Sequence, residues 1–343
     1  MVDLTAFALF DVEGPGVLPY IEKMAVNKMD VAVGRGVYTP ILNAHGGFKA
    51  DLTIVRLAKD KFRIITGGGD GARDKKWFMD NLPSDGSVTF TDKTSAICTI
   101  GLWGPHARDV LQSVTDNDVS NEAFPYSTVQ NLIINGIPAS AFRISYVGEL
   151  GWEISTDMEY GLKLWDTLWA AGQPYRIVPV GIGVYGTTGR LEKGYRLMGT
   201  ELEGEYTPVE AGLARRLVKR ADFNGKEAYL KAREAEPAAI LCTLTVDDHT
   251  SASGVARYMS GNEPIVTLDG ERIVDGNGRP SYVNTAGMGP SVGKFLLLAY
   301  LPPNYATEGT QLAVEYMTEW YPVTVAVAGS RPLFDSGNER MKC

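Results

Sequence analysis

The sequence predicts a multi-domain α+β protein whose C-terminal part is a separate antiparallel barrel or sandwich. Three observations carry this. At 343 residues the chain is long enough for two or three domains with a large buried core. Up to about residue 237, strand-like runs alternate with segments of helical apolar spacing. From about Ala238 the character changes to short β segments separated by Gly, Pro, Asn and Asp.

Taken in order, "AFALFDVEG" reads as a strand and "VLPYIEKMA" as a helix, followed by the apolar "GVYTPILNAHGG" with its two-glycine break. "ADLTIVRLAKDKFRIITGGG" is a pair of strands joined at Lys59-Asp60-Lys61, a hairpin signal. In "DGARDKKWFMDNL", Trp77, Phe78 and Leu82 share one side at helical spacing. "VTFTDKTSAICTIGLWGP" returns to strands, and "HARDVLQSV" starts a helix after Gly104-Pro105, which suggests an α+β unit from about Asp51 to Ala141. "SAFRISYVGELGWEIST" is a strand, a glycine-rich turn and a second strand. "MEYGLKLWDTLWAAG" sets Leu162, Trp165, Leu168 and Trp169 at helical spacing and stops at Gly172. "VYGTTGRLEKGYRLMGTEL" reads as a helix start and loop. Beyond the acidic, alanine-rich "AREAEPAA", strands are expected in "ILCTLTV", "GERIVD", "KFLLLAY", "QLAVEYM" and "YPVTVAV".

Composition excludes several function classes. Hydrophobic content of 44% and charged content of 22% are ordinary for a soluble globular protein. A net charge of −8, from 33 basic and 41 acidic residues, argues against nucleic acid as a partner. It leaves room for a local basic patch facing an anionic ligand. Cys98, Cys242 and Cys343 lie far apart, as do His45, His106 and His249, so neither a disulfide framework nor a metal spacing is present and a reducing cytoplasm is expected. The opening "MVDLTAFALFDVEGPG" lacks the basic-then-apolar layout of a signal peptide, and "FLLLAYLPP" is too short to span a bilayer, so no membrane partner is expected. "GGGDG" at 67–71 lacks phosphate-loop spacing, and neither G-x-G-x-x-G nor G-x-S-x-G is found in a fitting context.

Two carboxylates stand out. In "SYVGELGWEI", Glu153 lies between Trp152 and Ile154 in a run that should be half buried. Either it faces solvent, or it faces inward and accepts hydrogen bonds from a ligand, since a buried charge without donors is costly. A ligand edge with adjacent N–H groups would satisfy it in bidentate fashion. Asp51 follows "HGGFKA", where glycines allow a turn that could open its side chain to a cavity; equally, it merely starts a strand. Tyr38 and Asn43 lie upstream in the same apolar segment. Residue patterns alone leave these alternatives open.

Six segments, in order, carry a family resemblance: "YTPILNAHGGFKADLTI", "IGLWGPHARDVL", "SYVGELGWEIS", "GRLEKGYRLMGTEL", "TPVEAGL" and "SVGKFLLLAYLP". Together the chain resembles the folate-binding family of the glycine cleavage T-protein (aminomethyltransferase), and most closely its relatives in dimethylglycine and sarcosine dehydrogenases and in tetrahydrofolate-dependent demethylases. The resemblance implies an α+β, three-domain cloverleaf around a central hole for tetrahydrofolate, with a C-terminal antiparallel β-barrel. Residues 1–48 and 142–237 would form the folate-binding domain, 49–141 a second α+β domain and 238–343 the barrel. It further implies that Asp51, in G-G-x-x-x-D, is the catalytic aspartate and that Tyr38 lies near the folate. Tyr146 and Glu153 match the Y-x-G-E-x-G-x-E segment, whose glutamate holds the pterin ring, and Tyr195 in "RLEKGY" matches a further pocket aromatic.

These roles make physical sense. Glu153 can accept two parallel hydrogen bonds from a pterin, each worth roughly 1.5–3 kcal/mol when charge-assisted. Tyr38, Tyr146 and Tyr195 offer flat apolar walls with polar tips. Asp51 can orient the accepting amine, stabilise charge developing on it, or take its proton. The expected function is therefore a tetrahydrofolate-dependent one-carbon transferase, moving a methyl group from a small O-, N- or S-methyl donor, methoxylated aromatics included, to tetrahydrofolate. His45 is a candidate general acid for a departing phenolate; a surface histidine after a turn is the competing reading.

Departures from the family pattern matter too. The chain starts inside the family's usual beginning, so a pocket wall is expected to be missing or supplied by an oligomer or companion subunit. No flavin-binding segment precedes the matched region, so the chain by itself is not expected to be an oxidising dehydrogenase. The arginine that precedes "SLRLE" in the T-protein is replaced around Tyr185-Gly186, which argues against ordinary aminomethyl-lipoyl chemistry. The tail "PLFDSGNERMK" resembles the demethylase branch. Two alternatives stand beside demethylation. An aminomethyltransferase would need a lipoyl carrier protein, an acidic partner that a net charge of −8 does not favour. A non-catalytic folate-binding module would carry K-G-C-x-x-G, where this chain has "KGYRLMG".

Overall fold

Three antiparallel sheets, each with its own apolar core, make up the computed structural model, which describes residues 1–329 and 331–343. The first sheet orders its strands Gly36–Leu42, Phe48–Ala58, Lys61–Thr66, Ala8–Glu13 and Thr89–Asp92. Helices Val17–Met24 and Gly71–Asp80 cover one face, burying Val17, Ile21, Met24 and Phe78 completely. Tyr20 locks the two helices together by donating its hydroxyl to the Phe78 carbonyl at 2.6 Å.

The second sheet runs Val2–Asp3, Ile97–Trp103, Gly151–Asp157, Ile137–Phe142 and Val129–Ile134. Its core face presents Trp152 and Ile154, both wholly buried, to helix Gly161–Gly172 through Leu164 and Leu168. Burying a side chain of this kind contributes roughly 1.5–3 kcal/mol. Leu162 shares the helical spacing but is 74% exposed, because the helix turns it away from the sheet.

The third sheet closes into a barrel. Its order is Ile265–Val266, Gln311–Tyr316, Glu319–Ala328, Ile240–Val246, Lys294–Leu301 and Val283–Gly289. The two edges meet at the Pro264–Tyr282 bridge, where Ile265 N–H donates to the Ser281 carbonyl at 3.0 Å and Val283 N–H to the Glu263 carbonyl at 2.9 Å. Closure satisfies edge groups that an open sheet would leave unpaired.

Three sequence expectations need correction. A division at 48/49 falls inside the hairpin of Gly36–Leu42 with Phe48–Ala58, and one at 141/142 falls inside strand Ile137–Phe142. Backbone ladders keep each sheet whole, so the first sheet lies within residues 8–92 and the second joins 97–157 to Val2–Asp3. "GERIVD" forms only isolated bridges, Val266 with Arg272 and Val274 with Pro280. Two successive turns, closed by Thr267 N–H to the Glu271 carbonyl and Asp275 N–H to the Arg279 carbonyl, leave it too short for a ladder. The strand Val283–Gly289 carries little signal in sequence because two of its seven residues are glycine.

A segment from Arg190 to Leu202 ties the barrel to the other two lobes. Arg190 and Glu201 form a fully buried pair at 2.8 Å, and Arg190 also donates to Thr285 of the barrel at 2.9 Å and to the carbonyls of Gly186 and Tyr195 at 2.6 and 2.7 Å. Four of the five guanidinium donors are thereby paired, one of them with the carbonyl of Tyr195, which lines the cavity described next.

Candidate functional site

The hairpin of the first sheet sets Tyr38 and Asp51 on one face. Tyr38 pairs with Thr53, and Pro40 with Asp51, so Tyr38 and Asp51 are diagonal neighbours across the ladder. The Tyr38 hydroxyl donates to Asp51 Oδ2 at 3.0 Å. Strand alternation drives Ala50, Leu52 and Ile54 into the core, which leaves Asp51 and Thr53 on the opposite face.

The second sheet supplies the facing wall. Glu153 pairs with Gly101 on one side and Phe142 on the other, on the face opposite buried Trp152 and Ile154. That outward face of the sheet is covered by other segments. The Tyr185 hydroxyl donates to Glu153 Oε1 at 3.2 Å. Gly101 is required here, because a Cβ at that position would lie 2.1 Å from the Trp103 ring. The turn before Glu153 depends on Gly148 at φ +78°, a left-handed conformation that L side chains rarely adopt. It presents Tyr146, whose hydroxyl donates to the Arg196 carbonyl at 2.5 Å and whose ring stacks on Tyr195 with centroids 5.7 Å apart at 13°. Tyr195 in turn approaches the Met341 sulfur at 3.6 Å.

Between these walls lies a cavity of about 430 Å³. Tyr38, Asp51, Tyr146, Glu153 and Tyr195, far apart in sequence, all line it. His45 does not. It is exposed on the Asn43–Gly47 turn, where its N–H donates to Asn43 Oδ1 at 2.8 Å, so the sequence reading of His45 as a general acid is corrected. Asn43 is committed to that turn and to the Gly204 carbonyl. Phe7, Asp70, Tyr126 and Tyr185 also line the cavity and carry no local motif; Arg196 lines it too and follows Tyr195 in the family segment "GRLEKGYRLMGTEL". The departure from the family pattern at Tyr185-Gly186 points to one of them, and the segment around Tyr195 to another.

Electrostatically the two cavity carboxylates are matched. Burial pushes Asp51 up to about 7, opposed by the Tyr38 hydrogen bond, assisted by repulsion from Asp70 and Asp74 and opposed by Arg190. Burial also pushes Glu153 up to about 7, against the Tyr185 hydrogen bond. Burial raises the phenols of Tyr38, Tyr146, Tyr185 and Tyr195, so all four stay protonated donors. Arg196 spends its guanidinium on carbonyls, Ala211 at 2.9 Å and Gly194 at 2.5 Å. Two carboxyls poised near neutrality in one aromatic cavity are suited to proton handling and to recognising a ligand edge rich in N–H donors. Among the described residues, no group of three or more His, Cys, Asp and Glu side chains is arranged to hold a metal ion, and no helix is long and apolar enough to cross a membrane.

Comparison with known proteins adds an independent line. Residues 1–221 match the family model described as the GCVT N-terminal domain, and residues 255–335 match the glycine cleavage T-protein C-terminal barrel domain. The mitochondrial dimethylglycine dehydrogenase of Homo sapiens is 31% identical over 335 residues, 95% of this chain and 36% of that protein. The chain thus spans only about a third of that relative's length. The aminomethyltransferase of Symbiobacterium thermophilum is 29% identical over 320 residues, 92% of this chain and 81% of that protein. The crystal structure of glycine cleavage system aminomethyltransferase T from Bartonella henselae aligns with a TM-score of 0.81 at 22% identity, covering 98% of this chain and 86% of that one, a likeness of fold.

Proposed function

This chain belongs to the glycine cleavage T-protein (GCVT) family, and we propose that it acts as a tetrahydrofolate-dependent demethylase, moving a methyl group from a small O-, N- or S-methyl donor to tetrahydrofolate. The observation that carries this reading is the convergence of Asp51 and Glu153, from different sheets, on one tyrosine-walled cavity. The donor set fits a pterin: Glu153 is half-buried with one oxygen held by Tyr185, and flat aromatic faces flank it.

In this reading Glu153 holds the pterin edge through its N–H groups, and Tyr146 and Tyr195 wall the ring. Tetrahydrofolate, when bound, supplies the nitrogen that takes the one-carbon unit. Asp51, oriented by Tyr38, orients that nitrogen and accepts its proton; a carboxyl near 7 is well matched to this at neutral pH. Two features favour demethylation over transfer from a lipoyl carrier. The arginine that precedes "SLRLE" in the T-protein is replaced here around Tyr185-Gly186, and the dimethylglycine dehydrogenase is named for an N-methyl amine.

A second reading, an aminomethyltransferase of a glycine-cleavage-like system, is favoured by the span of the match to the Symbiobacterium thermophilum enzyme, 81% of its length. One experiment separates the two. The protein is incubated with tetrahydrofolate and a panel of methoxyaromatics, methylamines and methyl thioethers, and separately with an aminomethylated lipoyl carrier. Mass spectrometry then looks for methyltetrahydrofolate or methylenetetrahydrofolate. Methyltetrahydrofolate from a small donor is expected; methylene product from the carrier alone would overturn the demethylase reading, and folate binding without turnover would reduce the chain to a binding module.

A further inference from the structure

We propose that Tyr185 is the positioning residue for Glu153: its hydroxyl, delivered by a π-helical turn, holds Oε1 and leaves Oε2 to meet the ligand. This rests on the reading of the cavity as a pterin site. The turn, Val184–Gly189, replaces ordinary helix at this point, and such local widenings concentrate at functional sites. Its N-terminal side is open, with Ile182 and Val184 exposed and nothing for a Cβ on Gly181, Gly183 or Gly186 to touch, while Gly189 at its end lies against Val147. Within the turn, Tyr185 is the buried side chain, at 8% exposure.

Three rings from separate segments fix its plane. Phe7 meets it edge-on with centroids at 5.7 Å and 84°, Trp103 lies at 5.5 Å and Tyr146 at 5.1 Å. Packing of that kind would be served equally by phenylalanine. The hydroxyl adds something else, because Glu153 is its hydrogen-bond partner and a buried hydroxyl left unpaired is costly. Gly101, opposite Glu153 in the ladder, leaves room for the Trp103 ring that packs against Tyr185.

The titratable and charged groups around Glu153 are few. Tyr185 comes from the π-helical turn, Tyr126 from the loop before strand Val129–Ile134 and Tyr146 from the glycine turn, with Tyr38, Asp51, Asp70, Tyr195 and Arg196 elsewhere on the cavity wall. The Tyr185 bond favours ionised Glu153, in opposition to burial. Its loss therefore moves the Glu153 midpoint to higher pH, and recognition of N–H donors by the carboxylate sets in later.

Tyr185→Phe tests this. Wild type and variant are compared by carbon-13 carboxyl NMR titration of the ligand-free protein, with Glu153→Gln identifying the resonance, and by tetrahydrofolate binding between pH 6 and pH 9. The midpoint is expected to rise in Tyr185→Phe, and affinity at pH 7 to fall about three- to tenfold, converging toward wild type by pH 9, with a melting temperature unchanged at pH 5, where the carboxyl is protonated in both folded proteins. 3-Fluorotyrosine at 185, a stronger donor, should shift the midpoint the opposite way. An unmoved midpoint in both substitutions overturns the positioning role. A midpoint that moves in a protein that binds no folate upholds the role and overturns the pterin reading instead.

Discussion

The Tyr38 hydroxyl stands 3.0 Å from Asp51 Oδ2, a contact set by ladder register. Tyr38 opposes Thr53, so the side chain two residues before Thr53 falls on the same face and within reach of a long aromatic. The pair places a hydrogen-bond donor on a carboxyl that burial would otherwise tend to keep protonated. It also makes the roles assigned to the cavity separable by mutation.

Asp51→Asn should remove proton handling while keeping the shape of the wall. Turnover is expected to fall about 10²–10⁴-fold, with tetrahydrofolate affinity changed less than about threefold. Single-turnover kinetics and equilibrium binding read the two quantities, and near-wild-type turnover would remove Asp51 from the catalytic role.

Glu153→Gln should act on binding. Loss of one charge-assisted hydrogen bond, about 1.5–3 kcal/mol, corresponds to a rise in the dissociation constant for tetrahydrofolate of about tenfold or more. Isothermal titration calorimetry at pH 8, where the wild-type carboxyl is mostly ionised, provides the comparison. Equal affinity would count against its contact with the ligand.

Stability should depend on pH through the same carboxyls. Asp51 is raised from an ordinary value of 3.8 to about 7, so the folded state holds the proton more tightly than the unfolded chain. Its contribution is fully present below about pH 4 and is lost as pH rises through about 7. The melting temperature of Asp51→Asn minus that of wild type should be near zero at pH 4.5 and positive by several degrees at pH 8. A difference independent of pH would contradict the raised carboxyl.

His45→Ala should leave turnover and folate affinity within about twofold of wild type, whatever the donor. The side chain sits on an exposed turn, and His45 is not among the residues lining the cavity. Steady-state assays with a methoxyaromatic donor are the sharpest check, since a loss confined to that donor would restore the general-acid role.

Arg190→Met should be strongly destabilising. It leaves Glu201, wholly buried, without its charged partner, and breaking a buried pair from one side costs about 3–5 kcal/mol. It also frees the carbonyls of Gly186 and Tyr195, which flank two cavity tyrosines. Urea unfolding gives the stability change; a loss below about 1 kcal/mol would mean that the buried pair and its contacts to Thr285 contribute little to stability.

Much of the local structure was legible in the residues. Two strand-like runs joined at Lys59-Asp60-Lys61 mark the hairpin, "VLPYIEKMA" reads as the helix Val17–Met24, helical spacing marks Gly71–Asp80, and the shift of character near Ala238 precedes the barrel strand at Ile240. The weaker elements were missed for local reasons. Val283–Gly289 is too glycine-rich to read as a strand, and "GERIVD" has strand composition but is consumed by turns. Likewise, sheet membership could not be read across residues 48/49, because pairing depends on register and not on a change in composition.

For the site, the division runs along a physical line. The sequence by itself determined the ordered family segments, the strand faces and the carboxylates, because period-two alternation assigns each side chain to a face. It did not determine what covers a face. Glu153 points away from the core of its own sheet, as an outward strand residue would, yet that face is a cavity wall because Tyr185, Trp103 and Tyr146 lie over it. Covering residues arrive from distant segments through packing, so only the tertiary structure decided that Glu153 faces the same cavity as Asp51, that Tyr185 holds it, and that His45 stands outside.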